Sequence, residues 1–497
     1  MNTRKCPQFV AKPSRMKAIK TLLISLLLLP LSLCAQQPNN LDFEAASPAD
    51  VPMGWKTSRL TQPKTLVKTP DGEGSSLYLT APFTEFESGY AYQELAASGE
   101  VLLKYDITAR LRTRGVEGDG AQIYAYGKSS GSVLGYVQSE SLRGDNDWTE
   151  VSLSLVTDSR MDSIRIGCYL GGTGEAWFDD LTFTRGEFSK QRMSKTARKY
   201  LREFFATVEP IALDRDEKPW KELKSVARML ASGAQTTADV YPAMRYTLGR
   251  INKHSFMFEP AVAADLNGSD LATDEVDPDL KYTSGRRIND RIAYLSMPAM
   301  GSGHQATLNA FADSLQGLMA ALETETTTGW VLDLRENGGG NCWPMLAGVG
   351  PLIGEGIAGY FQERDGSNAS PWVYRDGKSF ERGNERVTTR NHQLSHKQFR
   401  VAVLVGPQTA SSGEITAIAF MGLPYARLFG QPSAGYVTTN TSIPMSDGAM
   451  VMVTISIYGD RNKRAVEDRV VPDVIVAPEA EKDAALEAAI EWLEGEI

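Results

Sequence analysis

The chain has 497 residues, 42% of them hydrophobic, and a formal net charge of −9. That is enough apolar material for about three domains of ordinary size, each with its own core. With 61 acidic against 52 basic residues, no basic face is available for a polyanion, which excludes nucleic acid as a partner. At the start, Met16-Lys17-Ala18-Ile19-Lys20 precedes an apolar run from Thr21 to Leu33 and then Cys34-Ala35-Gln36. A charged start, a short apolar centre and a small residue before Gln36 describe a secretory signal over 1–35, too short to span a bilayer permanently. Cys34 invites a lipid-anchor reading, but Leu33 stands where a lipobox wants a small residue, so cleavage after Ala35 and export to a periplasmic or extracellular space are expected. Later segments lack the length and apolarity of a membrane helix, so an integral membrane protein is not expected. The mature chain keeps Cys168 and Cys342 in different regions, which gives no disulfide framework.

From 36 to 187 the pattern is short alternating runs broken by Gly, Asp and Ser, such as Leu102 to Leu111 and Ile164 to Leu170. This spacing predicts an antiparallel β-sandwich. Its opening, Asn40-Leu41-Asp42-Phe43-Glu44 and then Gly54-Trp55, and its close, Ala176-Trp177-Phe178-Asp179-Asp180-Leu181, resemble galactose-binding-like jelly rolls found as carbohydrate-binding modules. The resemblance implies a possible glycan contact through Trp55, Tyr90, Tyr92 or Trp148. In a sandwich most aromatics fill the core, and a spacer or peptide-docking role stands beside that reading. Over 188–258 helical periodicity takes over, with Leu201, Phe205 and Val208 on one face and Val240, Met244, Leu248 and Ile251 on another. It leads directly to His254. The Asp-, Gly- and Ser-rich stretch 259–287 reads as a mobile loop, and it does not fit a calcium loop. From 288 to 497 a strand (Ile292 to Ser296), an amphipathic helix (Leu308, Phe311, Leu315, Leu318, Leu322) and a second strand (Trp330 to Asp333) make a β-α-β unit, so an α/β core is expected.

Two segments of that core carry chemistry. Val401-Ala402-Val403-Leu404-Val405 reads as a buried strand, Gly406-Pro407-Gln408-Thr409-Ala410 as a turn, and Ser411-Ser412-Gly413-Glu414-Ile415 as a helix start. A helix start offers unpaired N–H groups and the positive end of the dipole, so a hydroxyl there can attack a carbonyl while amides hold the oxyanion. Ser411 reads as that nucleophile, and capping of the helix by Thr409, Ser411 or Ser412 is the competing explanation. The other segment, Asp333-Leu334-Arg335-Glu336-Asn337-Gly338-Gly339-Gly340, ends a buried strand in three glycines, which allow close approach of backbone to a substrate. Gly339 and Gly340 are the candidate oxyanion and substrate-binding residues there, with Ser412 on the helix side. Asp333 and Arg335 read as a structural ion pair, and Asp447-Gly448 as a hairpin turn.

Together these segments, with Leu428 to Gly435, Pro444 to Gly448 and Glu467 to Asp473, resemble the C-terminal processing (tail-specific) serine peptidases. The resemblance covers roughly residues 190–480 and implies a crotonase-like peptidase core acting on peptides or protein tails, with Ser411 as nucleophile. Many members use a lysine base after the G-x-P segment, but here Tyr436 stands in that position and cannot serve near neutral pH. The segment Asn252-Lys253-His254-Ser255 is similar to a branch that includes the nisin-resistance protein and the tricorn core protease, which implies His254 as base. His254 could instead tie the helix to the sheet through its ring nitrogens. The resemblance implies Glu467 as an acid orienting the histidine, against a solvated partner of Arg464 or Arg469. His304 reads as a helix-entry residue, His392 and His396 as solvated, Cys342 as a buried thiol, and Trp343 and Tyr436 as cleft-lining or packing aromatics. The segment that could house a peptide-binding PDZ module is too short. No metal or organic cofactor is implied. A non-catalytic binding protein on the same scaffold and an esterase are the alternatives to a peptidase.

Overall fold

The computed structural model describes residues 37–48, 50–58, 65–70, 74–81, 88–97, 102–129, 132–266, 274–395, 398–479 and 482–495. The expected signal 1–35, with Cys34, and His396 lie outside the described residues.

Eight strands come first: β1 (Lys56–Ser58), β2 (Leu66–Lys68), β3 (Ser75–Ala81), β4 (Ser88–Ala96), β5 (Leu102–Ser129), β6 (Ser132–Gln138), β7 (Leu142–Asp158) and β8 (Ser163–Gly186). They pair antiparallel in one sheet. Burial alternates residue by residue from Leu102 to Leu111, as the period of two requires. Strands β5 and β8 are long enough to serve two half-sheets, and the register between them shifts at Arg114/Glu117 and Glu117/Gly120. Gly118, Gly120, Gly172 and Gly174 have positive φ at this corner, and a Cβ on Gly172 would lie 1.9 Å from the Glu117 carbonyl. The bend therefore needs glycine. Beyond it the halves face each other, so that Ile107 and Leu111 from one end of β5 share a core with Ile123 and Ala125 from the other, and with Leu77, Val151 and Ile166.

Three helices follow, α1 (Lys195–Val208), α2 (Trp220–Leu230) and α3 (Tyr241–Ile251), then β9 (Phe256–Phe258), α4 (Pro260–Leu266) and β10 (Ser284–Arg287). Within the stretch expected as a mobile loop, 259–287, α4 and β10 stand at the two ends; residues 267–273 lie outside the described residues. The periodic residues Leu201, Phe205, Val208, Val240, Met244, Leu248 and Ile251 all enter one core. That core also takes Met257, Met445, Val451 and Val453, so the helices are packed against the strands that flank the site.

The remaining elements are β11 (Ile292–Ser296), α5 (Gln305–Leu322), β12 (Gly329–Asp333), α6 (Cys342–Gly348), α7 (Gly350–Ile353), β13 (Gly356–Gln362), β14 (Ser370–Arg375), β15 (Lys378–Glu381), β16 (Asn384–Thr388), β17 (Arg400–Val405), α8 (Ser412–Phe420), β18 (Ala426–Gly430), β19 (Thr438–Pro444), β20 (Met450–Gly459), β21 (Ala465–Val466), β22 (Val474–Ile475) and α9 (Ala484–Glu494). One sheet runs β10-β11-β12-β17-β18-β22, parallel except at the β10 edge. Its central strands are apolar throughout because both faces are covered. Trp330, Leu332, Val401 and Val403 point to the main core with α5, α6 and α8. Val331, Ala402 and Leu404 point to α9 through Ala489 and Leu493. A second sheet, β16-β15-β14-β13-β20-β19, carries β9 and β21 on β20 and adds Phe361, Trp372 and Tyr458 to the main core. The chain is thus multidomain: a β-rich N-terminal part, a helical layer and an α/β part built on parallel strands.

Candidate active site

The turn between β17 and α8 is fixed before any chemistry is considered. Thr409 Oγ donates to the Leu334 carbonyl at 2.8 Å and accepts the Gly406 N–H at 3.0 Å. The Ala410 N–H donates to the Asn337 carbonyl at 3.0 Å. Ser411 follows with φ 51° and ψ −113°, a conformation a residue with a side chain rarely adopts. Its N–H donates to Glu414 Oε2 at 2.7 Å, which closes the first turn of the helix. Burial pushes the pKa of the Tyr458 phenol well up, against a small opposing pull from the Ser411 hydroxyl.

The glycine loop after β12 lies against this turn. A Cβ on Gly339 would meet the Ala410 carbonyl at 2.8 Å, Ser411 Cβ at 2.9 Å and the Ser412 nitrogen at 3.2 Å, and the residue has φ +106°. Asn337, fully buried, shapes the loop: its Oδ1 accepts the Gly339 N–H at 3.0 Å and its amide donates to the Met297 and Pro298 carbonyls. The Gly339 amide is therefore occupied, which corrects its expected place as an oxyanion donor. The N–H groups of Gly340 and Ser412 have no acceptor among the described residues. Ser412 Oγ donates to the Gly340 carbonyl at 2.7 Å and so ties the loop to α8.

His254 enters from the other side, between α3 and β9. It is buried, its N–H donates to Asn252 Oδ1 at 2.9 Å, and its carbonyl accepts Asn440 Nδ2 at 2.7 Å. Nδ1 lies 2.8 Å from Thr438 Oγ1. Donation from Nδ1–H toward Thr438 leaves the Nε2 lone pair free. Burial, with a smaller push from Lys253, depresses the His254 pKa to about 4, against a partial rise from Thr438. The imidazole is thus neutral over the ordinary working range. Its ring stands 5.0 Å from that of Tyr436, and the Tyr436 N–H shares Glu414 Oε2 with the Ser411 N–H, at 2.9 Å. Ser411 and His254 are therefore neighbours through Tyr436 and Glu414, and no hydrogen bond joins them directly among the described residues.

Glu467 does not occupy the expected place: it is exposed and makes no hydrogen bond or ion pair among the described residues. Thr438, at the start of β19, faces Nδ1 instead. Asp333 and Arg335 form the expected ion pair, with Arg335 also gripping Asp483 at 2.7 and 2.8 Å. Asp447 sits in the β19–β20 turn and accepts the phenols of Tyr200 and Tyr241, each at 2.7 Å. His304 precedes α5. His392, expected in solvent, is half-buried with Nε2 3.7 Å from Glu323. Cys342 is a buried thiol with its pKa pushed up to about 12 by burial. A cavity of about 600 Å³ lined by Arg335, Gln408, Gln431, Lys482 and Asp483 contains neither Ser411 nor His254. No group of acidic, Cys and His side chains fit to hold a metal ion occurs among the described residues. Among those same residues, no helix is long and apolar enough to cross a membrane.

Residues 291–476 match the model of peptidase family S41. The nisin-resistance protein of Lactococcus lactis subsp. lactis is 25% identical over 313 residues, 63% of this chain and 91% of that protein. The solved structure of a lipoprotein from Streptococcus agalactiae shares the fold over 61% of this chain and 97% of its own, at 21% identity and a TM-score of 0.50. A photosystem II D1 C-terminal processing protease is similar at 15% identity, over 61% of this chain and 98% of its own, with a TM-score of 0.41.

Proposed function

We propose that the chain is an exported serine endopeptidase with an α/β core of crotonase-like form, acting on peptides or protein tails through Ser411 and His254. His254 Nε2 takes the Ser411 proton as Oγ attacks the peptide carbonyl. The N–H groups of Ser412 and Gly340 hold the oxyanion, and His254 then protonates the leaving amine. Water, activated by the same imidazole, releases the acyl group from Ser411. Thr438 takes the orienting role expected of Glu467, as a neutral group. Catalytic hydrogen bonds that are open without substrate tighten once it is bound, which is how Ser411 and His254 come into direct contact. The observation that carries this reading is the strained backbone of Ser411 at a helix N-terminus, packed against a glycine loop with an unpaired amide. Digestion of a mixed peptide library by the purified chain should yield internal cleavages that vanish in Ser411→Ala. Turnover of esters with none of peptides would make it an esterase, and binding of peptides without turnover would make it a non-catalytic receptor.

For the N-terminal part, a jelly-roll sandwich with a glycan contact is the second reading. One face of the strands β4, β8, β5 and β6 carries Tyr90, Tyr92, Tyr124, Tyr126, Tyr136 and Tyr169 beside Gln122, Gln138 and Arg165. Rings alongside amide and guanidinium groups suit a sugar's apolar faces and hydroxyls. Retention of the chain on immobilised polysaccharides, lost in Tyr136→Ala, tests it; equal retention of both proteins or of neither removes it.

A further inference from the structure

Glu414 is fully buried in the first turn of α8, and its carboxylate faces four donors. Oε2 accepts the N–H groups of Ser411 at 2.7 Å and Tyr436 at 2.9 Å. Oε1 accepts the Gly435 N–H at 2.9 Å and the Ser433 hydroxyl. Three of these partners are backbone amides, which cannot accept. A carboxyl proton would have only Ser433 Oγ to go to, and that oxygen already accepts the Val470 N–H at 2.9 Å. The arrangement suits the ionised carboxylate, which alone can accept from all four donors at once. Burial is the larger influence and holds the Glu414 pKa above the usual carboxylate value, and the bonds from Ser433 and the three amides offset only part of that rise. No Lys, Arg or His pairs with it among the described residues. The charge is held by amides and by the positive end of α8.

A helix cap needs only the bond to the Ser411 N–H. The other three bonds leave the helix and all go to the segment 433–436, which runs on to Thr438, the partner of His254 Nδ1. We infer that Glu414 is a positioning residue whose anion ties the nucleophile's turn to the arm carrying Thr438, and so sets the spacing between Ser411 and His254. The inference rests on Ser411 and His254 as the reacting pair, and Glu414 itself touches no reacting atom. Glutamine fills the same volume but turns one acceptor oxygen into a donor. Whichever way its amide flips, an N–H group then opposes either the Ser411 and Tyr436 amides or the Gly435 amide.

The test uses the full chain as wild type, Glu414→Gln and Ser433→Ala, with folding followed by circular dichroism. The readouts are kcat, KM and the rate of labelling by a serine-reactive fluorophosphonate. In Glu414→Gln, kcat and labelling should both fall by about 100-fold with KM changed less than about threefold, because the nucleophile is misplaced while the cleft remains. Ser433→Ala, which removes one donor, should lower the same two rates by about tenfold. A cap that only supports the fold would lower the melting temperature and leave labelling at the wild-type rate wherever the protein is folded. Labelling and kcat of folded Glu414→Gln within about threefold of wild type would overturn the inference. Should that variant not fold, wild-type rates in Ser433→Ala would overturn it. Labelling that persists in Ser411→Ala would instead remove the nucleophile assignment, a different failure.

Discussion

Ser411 and His254 are held in ways that make each fit for one task. Ser411 has a backbone a serine would not choose, and His254 has lost most of its affinity for a proton through burial. A histidine with a pKa of about 4 stays a competent base well into acid. Cleavage of a neutral peptide should therefore hold steady from neutral pH down to about pH 5 and fail as pH drops through about 4. A half-point near 6.5 would mean that burial does not act as described. The same depression ties stability to pH. Between pH 6.5 and about 4 the unfolded chain binds a proton at this histidine that the folded chain does not. The contribution is full above 6.5 and lost as pH falls toward 4, so acid unfolding should be delayed in His254→Gln relative to wild type. Thr438→Val keeps the volume but removes the partner of Nδ1. It should lower kcat by roughly 10- to 100-fold with KM little changed, while Thr438→Ser stays near wild type.

The elements around the pair explain why the site is legible in the sequence in some parts and not in others. The buried strands β12 and β17, the serine turn and the glycine loop are local patterns, so runs such as Trp330 to Asp333 and Val401 to Val405 announce them. Gly339 shows what such a pattern hides. Its φ of +106° and the Ala410 carbonyl 2.8 Å from any added Cβ reserve the position for glycine. Gly339→Ala should cost about 1–3 kcal/mol of stability, read as a lower melting temperature, and should lower activity more than that loss explains. Wild-type activity in a folded Gly339→Ala protein would show that the loop does not shape the site. Its amide, however, is consumed by Asn337, a pairing that spacing cannot reveal. Thr438 was equally hidden, because it meets His254 across 184 residues of chain and only through sheet pairing of β20 with both β9 and β19. Glu467 was a natural expectation for an orienting acid, yet its strand end turns outward to solvent. The role of Asp447 in gripping Tyr200 and Tyr241 is also long-range, although the turn it occupies was legible as Asp-Gly.

At the scale of the whole molecule, the β-rich N-terminal part meets the helical layer close to the site. Asp158, at the end of β7 and almost fully buried, holds Arg250 at 2.8 Å and Arg160 at 3.2 Å. Arg250 lies one turn of chain before His254. Asp158→Ala should therefore lower the melting temperature of the full chain, by an amount equivalent to about 1–3 kcal/mol, because it strands a partly buried guanidinium. A fragment beginning near Ser189 exposes Arg250 to water instead, so it should melt lower yet still cleave short peptides. Complete loss of cleavage by a folded fragment would make the N-terminal part a component of the site.

The central claim is that Ser411 and His254 act as one catalytic unit, and a double-mutant cycle in kcat/KM on a single peptide tests it most directly. Ser411→Ala and His254→Ala should each lower kcat/KM by at least about 10⁴-fold, and the double variant should be little worse than either, since two residues that share one step fail together. Near-normal turnover in folded His254→Ala, or losses that multiply in the double variant, would contradict the account.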